Sequence, residues 1–82
     1  PYLVVTGEDD ELCPLEFTQQ IFDEVRSSKR LVVFEGERHS IAHYPQVRTT
    51  MIDWLEDRLA GKPFNSEKVF VEAGGKEVKE KL

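Results

Sequence analysis

Residues 30–36 read RLVVFEG, and this stretch decides how the rest of the chain is interpreted. Its four consecutive apolar residues show no alternation with polar ones, and Gly36 closes the run. A short, continuous apolar run bounded by glycine is typical of a strand that is covered on both of its faces. The stretch therefore predicts a buried strand in an α/β sheet.

A second run of the same kind lies upstream, where residues 2–5 read YLVV before Gly7. Between the two runs, residues 14–28 predict a helix that begins at Pro14, because proline suits the first helical position. Its predicted buried face consists of Phe17, Ile21, Phe22 and Val25. Strand, helix and strand in this order predict a βαβ unit with parallel strands and a right-handed crossover.

A longer amphipathic helix is predicted next, from the segment PQVRTTMIDWLEDRLAG. Pro45 begins this segment, and Gly61 and Pro63 end it in the usual order. The predicted buried stripe of this helix consists of Val47, Met51, Trp54, Leu55 and Leu59. Residues 1–63 thus predict a strand–helix–strand–helix (βαβα) unit.

The remaining residues, 64–82, form a charged tail. Within it, KVFVE at residues 68–72 predicts a short strand, whereas GGKEVKEKL at residues 74–82 predicts a loose segment or a solvated helix turn. Two parallel strands that are apolar on both faces need helices above and below them and strands alongside. We therefore expect both sheet edges to stay open and the unit to fold against something else, either the rest of a larger domain or a second chain.

Composition and charge restrict the class of partner. The chain has 82 residues with a net charge of −5, which argues against nucleic acid or an anionic membrane as a partner. Its single cysteine, Cys13, excludes an intrachain disulfide and a zinc site with several thiolates. No apolar run approaches the ~20 residues of a membrane span, and nothing resembles a secretory signal. A cytoplasmic setting is the default expectation.

Two residues with chemical potential follow the two predicted strands. Asp10 lies just beyond the first strand and His39 just beyond the second. Parallel strands place both loops at the same edge of the sheet, where ligands and catalytic groups of α/β proteins lie. We therefore expect the two side chains within hydrogen-bond reach. A histidine oriented by a carboxylate is the general base of acyl-transfer chemistry.

These loops resemble those of a known family. The stretch GEDDELCP, with Gly7, Asp10 and Pro14, resembles the acid loop of the α/β-hydrolase fold. The stretch EGERHS, with Gly36 and His39 spaced as Gly-x-x-His, resembles the histidine loop of that family. The second predicted helix is similar to the closing helix of many bacterial members.

The resemblance spans about residues 2–63 and implies the C-terminal part of a doubly wound, mostly parallel hydrolase sheet. Asp10 would be the acid and His39 the general base of a triad that hydrolyses an ester, an amide or a related acyl bond, without a cofactor. The family's nucleophile is usually a serine in a Gly-x-Ser-x-Gly elbow that precedes the acid. No serine here lies between glycines; the serines are Ser27, Ser28, Ser40 and Ser66. The implied partners are therefore the N-terminal part of the domain, in the same or a companion chain, and a small-molecule or peptide acyl substrate.

Other interpretations remain open at this point. Asp9 could be the acid instead, or Asp10 could only shape a turn or cap the helix. His39 could be an exposed loop residue, or it could bind metal with His43 and Glu37. Cys13 is expected to be a small packing residue. The whole chain could also be a non-catalytic α/β module that pairs through open sheet edges, for instance as a homo-oligomer.

Overall fold

The computed structural model describes residues 1–38 and 44–79 and has an α/β fold. Its elements in chain order are β1 (Tyr2–Gly7), α1 (Leu15–Glu24), β2 (Lys29–Phe34), α2 (Pro45–Leu59), β3 (Glu67–Val71) and β4 (Glu77–Val78). The four strands form one sheet in the order β1-β2-β3-β4. The first three are parallel, and β4 is antiparallel to β3. The predicted order of strand, helix, strand and helix is confirmed, and two further strands follow it.

The alternating side chains of the central strands build a core on each face of the sheet. On one face, α2 contributes a residue to a buried cluster of Val32, Phe34, Val47, Val69 and Val71. On the other face, α1 contributes a residue to a buried cluster of Phe22, Leu31, Val33 and Phe70. The two helices therefore cover opposite faces, and the continuous apolar run of β2 is explained by burial on both sides.

This arrangement constrains the hands of the two crossovers. From β1 to β2 to β3 the chain moves across the sheet in one direction. Because α1 and α2 lie on opposite faces, the connections through them have opposite hands. Right-handed crossovers dominate among parallel strands, so one of the two departs from the rule. The right-handed crossover expected for β1–α1–β2 stays a prediction.

The predicted buried face of α1 is partly wrong. The helix begins at Leu15, with Pro14 as its N-cap, and it buries Phe22. Phe17 and Ile21 are 54% and 61% exposed. The less exposed residues of this helix are spaced i, i+3, i+4 and i+7, which is one helical face; they are Leu15, Thr18, Gln19 and Phe22.

The stripe predicted for α2 needs a similar correction. Pro45 does open the helix, and Val47 and Trp54 are buried. The side chains of Met51, Leu55 and Leu59 are exposed instead. Val47, in the first turn, is the α2 residue that belongs to the buried cluster on the sheet, while Trp54 packs against Phe64. The rest of its apolar stripe therefore points to solvent.

The charged tail is more ordered than expected. The predicted strand around Val69 and Phe70 is confirmed as β3, which pairs with β2 and covers the sheet edge expected to be open there. The prediction of a loose segment after β3 is wrong for Glu77 and Val78, which form β4 and pair with β3. Gly75, at φ +92°, permits the tight turn between them. No helix among residues 1–38 and 44–79 is long and apolar enough to cross a membrane.

Candidate functional site

The loops after β1 and β2 meet at the carboxyl edge of the sheet, where the sequence placed its candidate residues. The backbone nitrogen of Glu8 donates to the carbonyl oxygen of Phe34 at 2.9 Å, which extends the pairing beyond the ends of the strands. The nitrogen of Asp9 then donates to the carbonyl oxygen of Glu37 at 2.8 Å. The loop that carries Asp10 is thus bonded to the segment that leads to residue 39.

Gly7 makes this contact possible. A Cβ atom on Gly7 would overlap the carbonyl group of Glu37 and stand 2.7 Å from the carbonyl oxygen of Arg38. No real side chain accepts such an approach, so the two loops pack backbone to backbone at this point. On the other side of the contact, Gly36 at φ +69° forms the turn that leaves β2.

Asp10 is half-buried and uses one carboxylate oxygen to shape its own loop. Its Oδ1 accepts hydrogen bonds from the backbone nitrogens of Leu12 at 2.9 Å and Cys13 at 2.8 Å. The local turn weighed in the sequence analysis is therefore present, and it orients the carboxylate. Asp9 is exposed. Cys13 is exposed too, which corrects its expected packing role.

His39 lies outside the described residues, as do Ser40 and His43. The predicted contact between the Asp10 and His39 side chains therefore stays a prediction. The chain on either side of residues 39–43 is described: Glu37 and Arg38 lie against Gly7, and Tyr44 packs against the core cluster under α2. Within residues 1–38 and 44–79, no three acidic, histidine or cysteine side chains form a group that could hold a metal ion.

Glu37 also affects the electrostatics of Tyr44, the residue before α2. The negative charge of Glu37, a hydrogen bond between the two side chains and a small contribution from burial raise the pKa of Tyr44 above its ordinary value. The phenol therefore stays protonated and can donate to the carboxylate throughout the neutral range. This hydrogen bond connects Glu37, which precedes residues 38–43 in the chain, with Tyr44, which follows them.

Two glutamates that the sequence analysis did not single out bond to neighbouring loops. The Oε1 atom of Glu8 accepts from the nitrogen of Gly36 at 3.1 Å. The Oε1 atom of Glu35 accepts from the nitrogen of Ala73 at 2.9 Å. The sequence gives only a weak indication of these bonds. Each glutamate follows the last residue of a strand, and a glycine lies beside it.

A groove of about 280 Å³ opens at the same edge, between the ends of β2 and β3. Its walls come from the start of α2 and the β3–β4 turn, and its polar lining includes Glu35, Glu37, Gln46 and Glu72. The groove was not predicted, because residues 74–82 were expected to form no ordered turn after β3.

Comparison with known proteins found no relative of this chain. No family model matches the chain, and neither a curated protein nor a solved structure matches it.

Proposed function

We propose that this chain is the C-terminal part of an enzyme with the α/β-hydrolase fold and that it supplies the acid and the general base of a Ser-His-Asp triad. The observation that carries the proposal is the hydrogen bond from Asp9 to Glu37. It joins the loop of Asp10 to the segment that leads directly to His39. Parallel strands, helices on both faces and loops meeting at the carboxyl edge are what such a site requires.

The proposed roles follow from the chemistry of acyl transfer. His39 accepts the proton of a serine hydroxyl as the serine oxygen attacks the acyl carbonyl, and it then gives that proton to the leaving group. In the second half of the reaction, it takes a proton from the water that attacks the acyl-enzyme and returns it to the serine oxygen as the acyl–serine bond breaks. Asp10 orients the imidazole ring and stabilises its protonated form. The serine and the donors that stabilise the oxyanion come from an N-terminal part of the domain outside these 82 residues.

A serine-directed fluorophosphonate probe tests this proposal on the full-length protein that contains these residues. The wild type is expected to be labelled at a serine upstream of Asp10, and intact mass analysis with peptide mapping locates it. His39→Ala is expected to slow labelling by at least about a hundredfold, because the serine loses its base. His43→Ala, a second histidine of the same segment, is the matched control and should be labelled at the wild-type rate. Equal labelling of His39→Ala and wild type would remove His39 from the mechanism.

A second candidate function is a non-catalytic module that pairs with another chain. It is favoured by the apolar side chains on the outer surface of α2; Met51, Ile52, Leu55 and Leu59 are between 40% and 88% exposed. Among the described residues, the outer edge of β1 also has no paired strand. In a hydrolase, the rest of the domain would cover these surfaces. The module is favoured if the probe labels nothing and if Leu55→Lys lowers the mass measured by sedimentation equilibrium.

A further inference from the structure

The side chain of Glu8 bonds two loops that are far apart in sequence. Its carboxylate accepts from the backbone nitrogen of Gly36, 28 residues further on, at 3.1 Å. Gly36 forms the turn by which the chain leaves β2, and Glu37 follows it directly. The bond lies beyond the ends of β1 and β2, so neither strand needs it in order to form. What it fixes is the position of one loop relative to the other.

Glu35 repeats this arrangement one strand further across the sheet. Its carboxylate accepts from the backbone nitrogen of Ala73, in the turn after β3, at 2.9 Å. In each case a glutamate beyond the end of one strand accepts from a backbone N–H in the loop after the next strand. The three loops at the carboxyl edge are thereby connected in sequence by carboxylate–amide bonds, which are stronger than bonds between neutral groups.

We propose that Glu8 is a positioning residue for the pair formed by Asp10 and His39, an inference that rests on the proposed function. Asp10 follows Glu8 by two residues, and Gly36 precedes the candidate base by three. The Glu8–Gly36 bond therefore joins the two loops at the points where they leave β1 and β2, close in sequence to Asp10 and to the candidate base.

Catalytic groups must be held within about 0.5 Å of their productive positions. The backbone bonds from Glu8 to Phe34 and from Asp9 to Glu37 join the first loop to the end of β2 and to Glu37, and neither of them reaches the turn at Gly36. The carboxylate of Glu8 supplies a further point of attachment, at the turn itself.

Three variants of the full-length protein test this role: Glu8→Ala, Glu8→Gln and the control Glu11→Ala. Glu11 is an exposed glutamate of the same loop, so its variant removes the same charge without the bond. Glu8→Ala is expected to lower kcat at least about tenfold with KM within twofold of wild type, because misplaced groups slow the chemical step and leave substrate binding intact. Glu8→Gln keeps an acceptor oxygen for Gly36 and is expected to restore at least half of kcat.

Amide hydrogen exchange provides a readout that does not depend on activity. Exchange at Gly36 is expected to accelerate about tenfold in Glu8→Ala and to stay unchanged in Glu11→Ala, because only the first variant removes the acceptor. The inference is overturned if Glu8→Ala has the kcat of Glu11→Ala, or if Glu8→Gln is as slow as Glu8→Ala. If the proposed function is wrong, the result is different: His39→Ala would keep wild-type turnover, whatever effect the Glu8 variants have.

Discussion

Gly7 and Glu37 touch through their backbones, with no room for a side chain between them. A Cβ atom at Gly7 would overlap the carbonyl oxygen and carbon of Glu37. Gly7 is not among the glycines with positive φ. Glycine is therefore required at this position because it lacks a side chain, and not because of its backbone angles. This contact places the loop of Asp10 against the segment that leads to residue 39.

Replacing Gly7 with alanine is expected to lower the free energy of unfolding by about 1–3 kcal/mol, the usual cost of inserting atoms into a packed contact. Here the added methyl group meets rigid backbone, which cannot rotate away. Urea denaturation of wild type and Gly7→Ala measures the difference.

Gly74→Ala is the matched control. A Cβ atom at Gly74 meets nothing within 4 Å, and its φ is not in the left-handed region. This variant should unfold within about 0.5 kcal/mol of wild type. A Gly7→Ala protein as stable as Gly74→Ala would mean that the two loops do not approach each other as described.

The strands of the parallel sheet could be predicted because their signal is local. The runs that form β1 and β2 are continuous, apolar and closed by Gly7 and Gly36. A strand that is buried on both faces shows no alternation of polar and apolar residues, so the continuous run is enough to predict it. The meeting of the two loops also followed from the sequence, since parallel neighbours end at the same edge. The contact of the two side chains there did not follow from it, because backbone direction leaves side-chain positions open.

The helix faces and β4 could not be predicted for a different reason. Periodicity identifies an apolar stripe on α1, yet it does not say that Phe22 would meet the sheet while Ile21, one residue away, would point to solvent. That choice depends on how the helix rests on the strands. The strand β4 has only two residues, and its pairing of Val78 with Phe70 arises from the turn at Gly75. So short a strand leaves no periodic signal.

Glu67 links three parts of the sheet and is expected to make stability depend on pH. Its carboxylate accepts from the guanidinium of Arg30 on β2, and Lys79 Nζ lies 2.7 Å from its Oε2. Burial alone would raise the pKa of Glu67, but the hydrogen bonds and charges of Lys79 and Arg30 lower it below its ordinary value. A lowered pKa stabilises the fold above the unfolded-state value of about 4.3, and this contribution is lost as the pH falls through the folded-state value.

Glu67→Gln is therefore expected to cost about 1 kcal/mol at neutral pH and progressively less below about pH 4. Unfolding free energies of both proteins from urea titrations across this range give the comparison. Glu56→Gln, at an exposed glutamate of α2, is the control and should cost less than about 0.5 kcal/mol at neutral pH. A constant gap between wild type and Glu67→Gln down to about pH 3 would argue against a lowered pKa.

Phe64 closes a small aromatic cluster behind α2. Its ring packs edge-to-face on Trp54 with the centroids 4.6 Å apart, and the guanidinium of Arg58 lies 4.1 Å from the Phe64 ring centroid and 4.8 Å from that of Trp54. The Nε atom of Arg58 is buried without an acceptor among the described residues, so the rings are its main neighbours. Phe64→Ala should cost about 2 kcal/mol through lost ring packing and a more exposed cation.

Thermal and urea unfolding of Phe64→Ala check this value. Leu12→Ala removes an apolar side chain that is 74% exposed and should change stability by less than about 0.5 kcal/mol. If both truncations cost the same, the aromatic cluster contributes nothing beyond general surface burial.

Asp10→Asn separates the two interpretations of Asp10. An asparagine can keep the oxygen that accepts from Leu12 and Cys13, so the turn should persist and stability should stay within about 0.5 kcal/mol of wild type. The variant removes the negative charge that would stabilise the histidine and fix its tautomer. Turnover by the full-length protein is therefore expected to fall by about 10³–10⁴ if Asp10 is the acid.

The neighbouring carboxylate supplies the control for that experiment. Asp9 is exposed, and its described hydrogen bond to Glu37 uses its backbone nitrogen, so Asp9→Asn should keep both stability and turnover. If Asp9→Asn is inactive while Asp10→Asn works normally, the acid is one residue earlier and Asp10 only shapes the turn. If both variants keep full turnover, neither carboxylate orients the base. The loops after β1 and β2 would then meet for structural reasons alone.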